Sequence, residues 1–367
     1  MNKHLIVLVG LPASGKSSTV SGYIKSLDED GKSRVKVLSS DDIRAEITSD
    51  NPEYTRDEHQ RVFSVLNQRA KIYLEDDETK EVVYDATNLS RKKRMHLINN
   101  ELKDFDTKIA WYLTKHPYLS VQHDKERGRK VGSKYMNKAF VSATVPSKAE
   151  GFDKVKYISN DFTGKRSFHE SDLEKCLSEL CLSADEDTFR LITRRLYREF
   201  NQFYDMDQNN SHHSKTLGSH IYHTYKNVMN MQKMIAVKGL STHKRELVLA
   251  AVLHDVGKYH TKEDSNGRST YYNHEGVSAQ IASHLISRNK NSLDKDVVID
   301  LISYHMLLMD KNSRVKLKFG EVVGDDGFIF KSPVERVDKK QGRQKLNINN
   351  TTLELLSLLH LADVNAK

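Results

Sequence analysis

Cysteine is nearly absent: the 367 residues hold two, Cys176 and Cys181. Their five-residue offset sets them on different faces of a helix, which excludes a disulfide or a zinc knuckle and fits a reducing compartment. No apolar run approaches the ~20 residues that a membrane span needs. The apolar segment after Met1 is a short strand-like run without a cleavage site, so the expected location is the cytoplasm, away from any membrane. Low-complexity tracts and internal repeats are lacking as well. What is present is the composition of a globular protein, 37% hydrophobic and 29% charged, long enough for two domains that each bury a core. The formal charge of +8 points to an acidic partner. Nucleic acid is the expected one, because the motifs below handle phosphates.

Leu5 to Val9 is a continuous apolar, β-branched run, the pattern of a buried parallel strand. It leads into Gly10-Leu11-Pro12-Ala13-Ser14-Gly15-Lys16-Ser17, a complete GxxxxGKS. In such a loop the glycines permit a tight turn, the amides and the following helix N-terminus cradle phosphates, the lysine reaches the β- and γ-oxygens, and the serine holds Mg²⁺. Gly10, Ser14, Gly15, Lys16, Ser17 and Ser18 are therefore the expected contacts of ATP and its Mg²⁺, the ion resting on Ser17. A second strand, Val35 to Leu38, delivers Asp41, Asp42 and Arg44 to its carboxyl end, where α/β sheets place ligands. Near a γ-phosphate, a carboxylate can deprotonate an acceptor hydroxyl and an arginine one turn on can bind an acceptor phosphate. Asp41 is the expected base and Arg44 the clamp; helix capping is the other use of either aspartate. A third strand, Glu81 to Tyr84, ends in Asp85-Ala86-Thr87-Asn88 and is followed by Arg91-Lys92-Lys93-Arg94. A fourth, Lys108 to Leu113, precedes a helix from about Pro117 that closes in the basic, glycine-broken Glu126 to Lys130.

From about Asn160 to Asp187 the strands give way to a polar stretch with a helical leucine patch, the expected domain junction. Thr188 to Tyr204 then reads as an Arg-rich amphipathic helix. Farther on, the apolar helical run Leu249 to Leu253 ends in His254-Asp255-Val256-Gly257-Lys258. Neighbours on a helix point about 100° apart, so His254 and Asp255 converge on one ion only at the rim of a core-facing stripe. His220, His274, His305 and Asp363 are the further donors on offer. His223, one helical turn from His220, shares its face and is the alternative first ligand. Imidazole and carboxylate donors suit Mn, Fe, Co, Ni or Zn. Between His305 and Asp363 a basic insertion over 311–345 reads as a hairpin around Gly324 to Gly327. It serves either as solvated decoration or as a nucleic-acid platform.

These motifs resemble two families. Residues 1 to about 160 resemble the P-loop 5′-hydroxyl polynucleotide kinases, including the phage enzymes. The matching features are the GxxxxGKS loop, the DDxxR-like Asp41 to Arg44 (one residue short of that spacing), the DxTN of Asp85 to Asn88 with basic residues after it, and the lid RG at Arg127. The resemblance implies that Lys16 and Ser17 bind ATP and Mg²⁺, Asp41 is the general base, Arg44 contacts the acceptor phosphate and Arg127 stabilises the transferring group. Asp85, Thr87, Asn88 and Arg91 would line the acceptor pocket. The ordered set His220, His254-Asp255, His274, His305, Asp363 resembles the HD-domain metal-dependent phosphohydrolases, with His254 to Lys258 as their HDxGK variant. It implies one metal ion on His220, His254, Asp255 and Asp363 and a second on His274 and His305, with Asp255 bridging and Lys258 holding the substrate phosphate.

The expected fold is thus an α/β P-loop kinase domain, a parallel sheet flanked by helices, over residues 1–162. A connector over 163–186 and an all-α HD domain over 187–367 follow. Together the two halves resemble bifunctional end-healing enzymes, which implies RNA or DNA ends as substrates, 2′,3′-cyclic phosphate or 3′-phosphate removal, and a separate RNA ligase as functional partner. The kinase-first order is that of the phage kinase-phosphatases, whose DxDGT motif this chain lacks. In bacterial proteins of the type the HD module comes first. The other readings are a small-molecule or nucleoside kinase fused to an HD nucleotidase, a diiron HD oxygenase using the same six ligands, and an RNA-binding regulator with degenerate sites.

Overall fold

The computed structural model describes residues 2–47, 55–115, 117–126, 130–159, 173–209, 215–265, 267–289, 291–308, 315–323, 329–338 and 346–366. The chain divides into two compact units, Met1–Phe162 with Lys345–Asn347 and Thr163–Gln344 with Ile348–Lys367.

The first unit runs β1 (His4–Val9), α1 (Lys16–Ser26), α2 (Glu29–Ser33), β2 (Val35–Ser39), α3 (Ser40–Ile47), α4 (Arg56–Glu75), β3 (Glu81–Asp85), α5 (Arg91–His96), β4 (Thr107–Leu113), α6 (Pro117–Glu126), α7 (Ser133–Ser142) and β5 (Lys154–Ile158). The five strands form one parallel sheet in the order β2-β3-β1-β4-β5. Parallel strands covered by helices on both faces need apolar side chains on both sides; Leu5 to Val9 are accordingly all buried. On one face Ile6, Leu8, Val83 and Trp111 pack with Val20 of α1. Because β1 lies between β3 and β4, with Val7 opposite Tyr84 and Val9 opposite Tyr112, the loop leaving β1 is flanked by the ends of both neighbours.

The second unit is mostly helical: α8 (Leu173–Leu180), α9 (Glu186–Leu196), α10 (Phe200–Phe203), α11 (Leu217–Asn230), α12 (Gln232–Val237), α13 (Lys244–Leu253), α14 (Lys258–Thr261), α15 (His274–Arg288), α16 (Lys295–Tyr304) and α17 (Asn350–Val364). Two antiparallel hairpins interrupt the helices, β6–β7 (Lys262–Ser265, Arg268–Tyr271) and β8–β9 (Val315–Val323, Ile329–Asp338). The expected helical fold holds for the unit, with these two hairpins added to it. β8 and β9 occupy the basic insertion, whose Gly324 to Gly327 and whose ends at 311–314 and 339–345 lie outside the described residues. The single helix expected over Thr188 to Tyr204 is two, broken where Tyr197 turns extended; the break lets Tyr197, Phe200 and Phe203 all bury.

α13 is the axis of this unit. Leu247 to Leu253 are completely buried, as befits a helix apolar on every side, and α11, α15, α16 and α17 pack around it. The chain leaving such a helix carries its next residues into the core, not to the surface. No helix among the described residues is long and apolar enough to cross a membrane.

Candidate metal centre and phosphate loop

In the first unit the loop after β1 wraps the start of α1. Gly15 has φ 93°, the left-handed conformation that glycine adopts without strain. Lys16 folds its ammonium onto the loop, Nζ donating to the carbonyls of Gly10 at 3.1 Å and Leu11 at 2.9 Å. Ser14 is buried, whereas Ser17 and Ser18 are exposed. Ser17 Oγ donates to Asp85 Oδ2 across 3.5 Å. Burial pushes the Asp85 carboxyl up, an effect that Lys16 opposes and Asp41 reinforces. Asp41 and Arg44 form an ion pair one turn apart on α3, with Asp41 largely exposed and Arg44 largely covered.

The Asp85 to Asn88 segment is stitched to β1. Gly10 N donates to the Thr87 carbonyl at 3.1 Å and Asn88 Nδ2 to the Leu8 carbonyl at 2.8 Å. Asn88 therefore has a demonstrable structural use. Arg91 lies near Glu150, Nε to Oε1 3.9 Å. Arg94, from the same basic quartet, is fully buried and bonds both oxygens of Glu150 and the carbonyls of Asn88, Leu89 and Thr144. Arg127 lies outside the described residues.

In the second unit, six side chains from five parts of the chain meet. His220 comes from α11, His254 and Asp255 from the end of α13, His274 from the start of α15, His305 from just after α16 and Asp363 from the last turn of α17. They make two buried groups, His220-His254-Asp255-Asp363 and Asp255-His274-His305, in each of which the donor atoms lie within 4.8 Å of one another. Asp255 belongs to both. Its Oδ2 is 3.3 Å from His220 Nε2 and 3.4 Å from His254 Nε2, and its Oδ1 is 3.2 Å from His274 Nε2 and 3.6 Å from His305 Nε2. Asp363 Oδ1 stands 2.9 Å from His220 Nε2. His223 is not in either group; its Nδ1 bonds the Ser219 carbonyl.

Gly257 makes the convergence possible. A Cβ there would lie 2.1 Å from the His274 carbonyl and 2.8 Å from Ser278 N, so only glycine lets α15 approach this turn.

The donor set fits a metal ion. Nδ1 of His254, His274 and His305 faces the carbonyls of Ala251, Tyr271 and Ile302 at 2.8 to 2.9 Å. Each ring thus keeps its hydrogen on Nδ1 and turns Nε2 to the cluster, the arrangement typical of imidazole ligands. Against the effect of burial, Asp255 and Asp363 push His254 up to about 10. Asp255 itself, also against burial, is held well below the carboxylate range by Lys258 and His254. A buried pair of carboxylates that draws protons onto its imidazoles has the charge to accept a cation.

Family comparisons divide the chain in the same way: the AAA domain matches residues 5–115 and the HD domain residues 217–360. The chain joins an AAA domain to an HD domain. No curated protein matches it. Among solved structures, a Pnkp1/Rnl/Hen1 complex is similar at 19% identity and a TM-score of 0.30, over 36% of this chain and 42% of that one. A fungal RNA kinase follows at 14% and 0.32, over 54% and 50%. A Pnkp1/Rnl/Hen1 RNA repair complex matches at 14% and 0.30, over 65% and 85%. The chain thus spans half or less of the first two proteins.

Sequence reasoning missed three groups. In the AAA domain, buried Lys115 follows β4, with Nζ 3.4 Å from the Ala13 carbonyl. In the second unit, Gln208 and Tyr271 flank Lys258. Lys115 and Tyr271 gave no signal of their own, each a lone residue in a loop or short strand, while Gln208 stands in the polar stretch Asp205 to His213, which reads as a ligand-like loop without singling it out. The backbone carbonyls that orient the histidines have no signature in sequence at all.

Proposed function

We propose that this chain heals broken polynucleotide ends, phosphorylating a 5′-hydroxyl with ATP and hydrolysing a 2′,3′-cyclic phosphate or 3′-phosphate. The observation that carries the reading is Asp255, which turns one oxygen to each of two buried ligand groups in a chain that also holds a complete phosphate loop.

In the AAA domain, Lys16 and the loop amides take the ATP phosphates, an ammonium and a ring of donors suited to their charge. Asp41 accepts the proton of the acceptor hydroxyl. Arg44, already paired with Asp41, receives the phosphate of the acceptor strand, and Arg127 stabilises the transferring group. Ser17 would hold Mg²⁺, which would neutralise charge on the ATP phosphates.

In the HD domain, His220, His254, Asp255 and Asp363 hold one transition-metal ion and Asp255, His274 and His305 a second. When bound, such a pair supplies a water of lowered pKa and a clamp on phosphate oxygens. Lys258, with Nζ 2.7 Å from Asp255 Oδ2, adds a fixed cation for the substrate phosphate, and the buried setting strengthens each of these attractions. RNA ends are the favoured substrate, with a separate ligase joining the products.

The test is an RNA bearing a 5′-hydroxyl and a 2′,3′-cyclic phosphate, incubated with ATP, Mg²⁺ and protein supplied in turn with Mn²⁺, Fe²⁺, Co²⁺, Ni²⁺ and Zn²⁺. Both ends should change, and a DNA with a 5′-hydroxyl and a 3′-phosphate measures the preference. If both ends of both substrates survive with every metal, the reading is wrong.

A further inference from the structure

We propose that Gln208 is a positioning residue for Lys258, fixing its ammonium beside the ligand cluster so that a phosphate or phosphate ester meets it at one place. The proposal rests on the reading that Lys258 binds phosphate. Gln208 is completely buried. It follows Asp207, which bridges to Thr216, and Thr216 caps α11, the helix of His220. Both ends of its amide are engaged: Oε1 accepts from Lys258 Nζ at 2.9 Å and Nε2 donates to the Lys215 carbonyl at 3.2 Å. An ammonium only donates and a carbonyl only accepts, so a single orientation of the amide satisfies the two partners.

The same residue is tied to the other side of the cluster. Its carbonyl accepts from the Tyr271 hydroxyl. The Tyr271 ring centroid lies 5.7 Å from Lys258 Nζ, and the Tyr271 carbonyl holds His274 Nδ1 at 2.8 Å. Gln208 thereby connects Lys258 to the elements that deliver a donor to each ligand group. The chemistry of the anchor matters too. A lysine stem is flexible, and Asp255 draws the ammonium onto a carboxylate. A neutral amide gives a second anchor without a negative charge to compete with an incoming phosphate.

Calorimetric titration of the Mn²⁺-loaded full-length protein with inorganic phosphate tests this, with metal content and thermal midpoint measured for every variant. Lys258→Met sets the reference loss. Gln208→Met is expected to weaken phosphate binding ~10-fold, the worth of one hydrogen bond to a charged group, with metal content unchanged. It should add nothing in the Lys258→Met background. Gln208→Glu keeps the shape but adds a charge that competes for the ammonium, so it should also weaken binding, and it carries the test if Gln208→Met does not fold. An equal loss from the Gln208 change with and without Lys258 makes Gln208 a general structural residue and overturns the proposal. Unchanged affinity in the Gln208 variants, with Lys258→Met defective, does the same while leaving the role of Lys258 standing. Absent phosphate binding in the unaltered protein, or unchanged affinity in Lys258→Met, overturns the role of Lys258 and the proposal with it.

Discussion

Asp255 offers a different oxygen to each of the two ligand groups, whereas His274 and His305 serve one group only. Replacing Asp255 with Asn weakens the donors of both groups and is expected to strip the metal and abolish end-phosphate release. His274→Ala and His305→Ala should each keep about one ion and slow hydrolysis, because a single ion still activates water; metal analysis beside the activity assay separates these outcomes. Away from the cluster, His260 responds to pH. Burial pushes it down to about 4, so between that value and its ordinary 6.5 the unfolded chain binds a proton that the folded one refuses. Its contribution to stability is present above pH 6.5 and is lost as pH falls toward 4, a total of about 3 kcal/mol at ~1.4 kcal/mol per unit. Urea midpoints at pH 7 and pH 5 should differ less in His260→Gln than in the unaltered protein. The six ligand candidates were legible in sequence because chemistry restricts them to histidine and carboxylate. Choosing His220 over His223 for the cluster was not, since the two share a helix face and only the packing of α11 distinguishes them.

At the scale of the element, the basic quartet on α5 teaches the opposite lesson. Four consecutive cations read as a solvated face or a phosphate site, yet Arg94 is buried against Glu150, 56 residues away in sequence. Its bonds to the Asn88, Leu89 and Thr144 carbonyls hold the segment after β3, which in turn braces the phosphate loop. Removing one partner strands a buried charge, so Arg94→Met should cost about 3–5 kcal/mol. Arg94→Met with Glu150→Met should recover much of that in chemical denaturation, despite the lost carbonyl contacts. β1 to β4 and α13 were legible from their apolar runs, whereas β5, in which Lys154 and Lys156 interrupt the apolar residues, was missed. The break at Tyr197 was not, because it depends on three aromatic rings finding one core. The β6–β7 hairpin, whose Lys262 to Tyr271 is largely polar, was missed for want of any alternating pattern.

Across the whole molecule, two compact units each contain one of the proposed sites. Lys16→Ala removes the ammonium of the phosphate loop and should abolish phosphoryl transfer from ATP while end-phosphate release continues at its usual rate. Loss of both activities in a folded variant would contradict two independent sites. The order of the units, and the phosphate loop and ligand motifs they carry, could be read from the sequence. The β8–β9 hairpin could be read as well, whereas β6–β7 and the hydrogen bonds that aim the ligands could not, since they follow from tertiary packing. The shared carboxylate has one more consequence, for how the HD domain fills. An ion seated by His220, His254 and Asp363 would pull on one oxygen of Asp255 and so fix the direction of the other, which would link the two uptakes thermodynamically. Calorimetric titration with Mn²⁺ should therefore depart from two identical independent steps, and in His274→Ala the first step should survive while the linkage disappears.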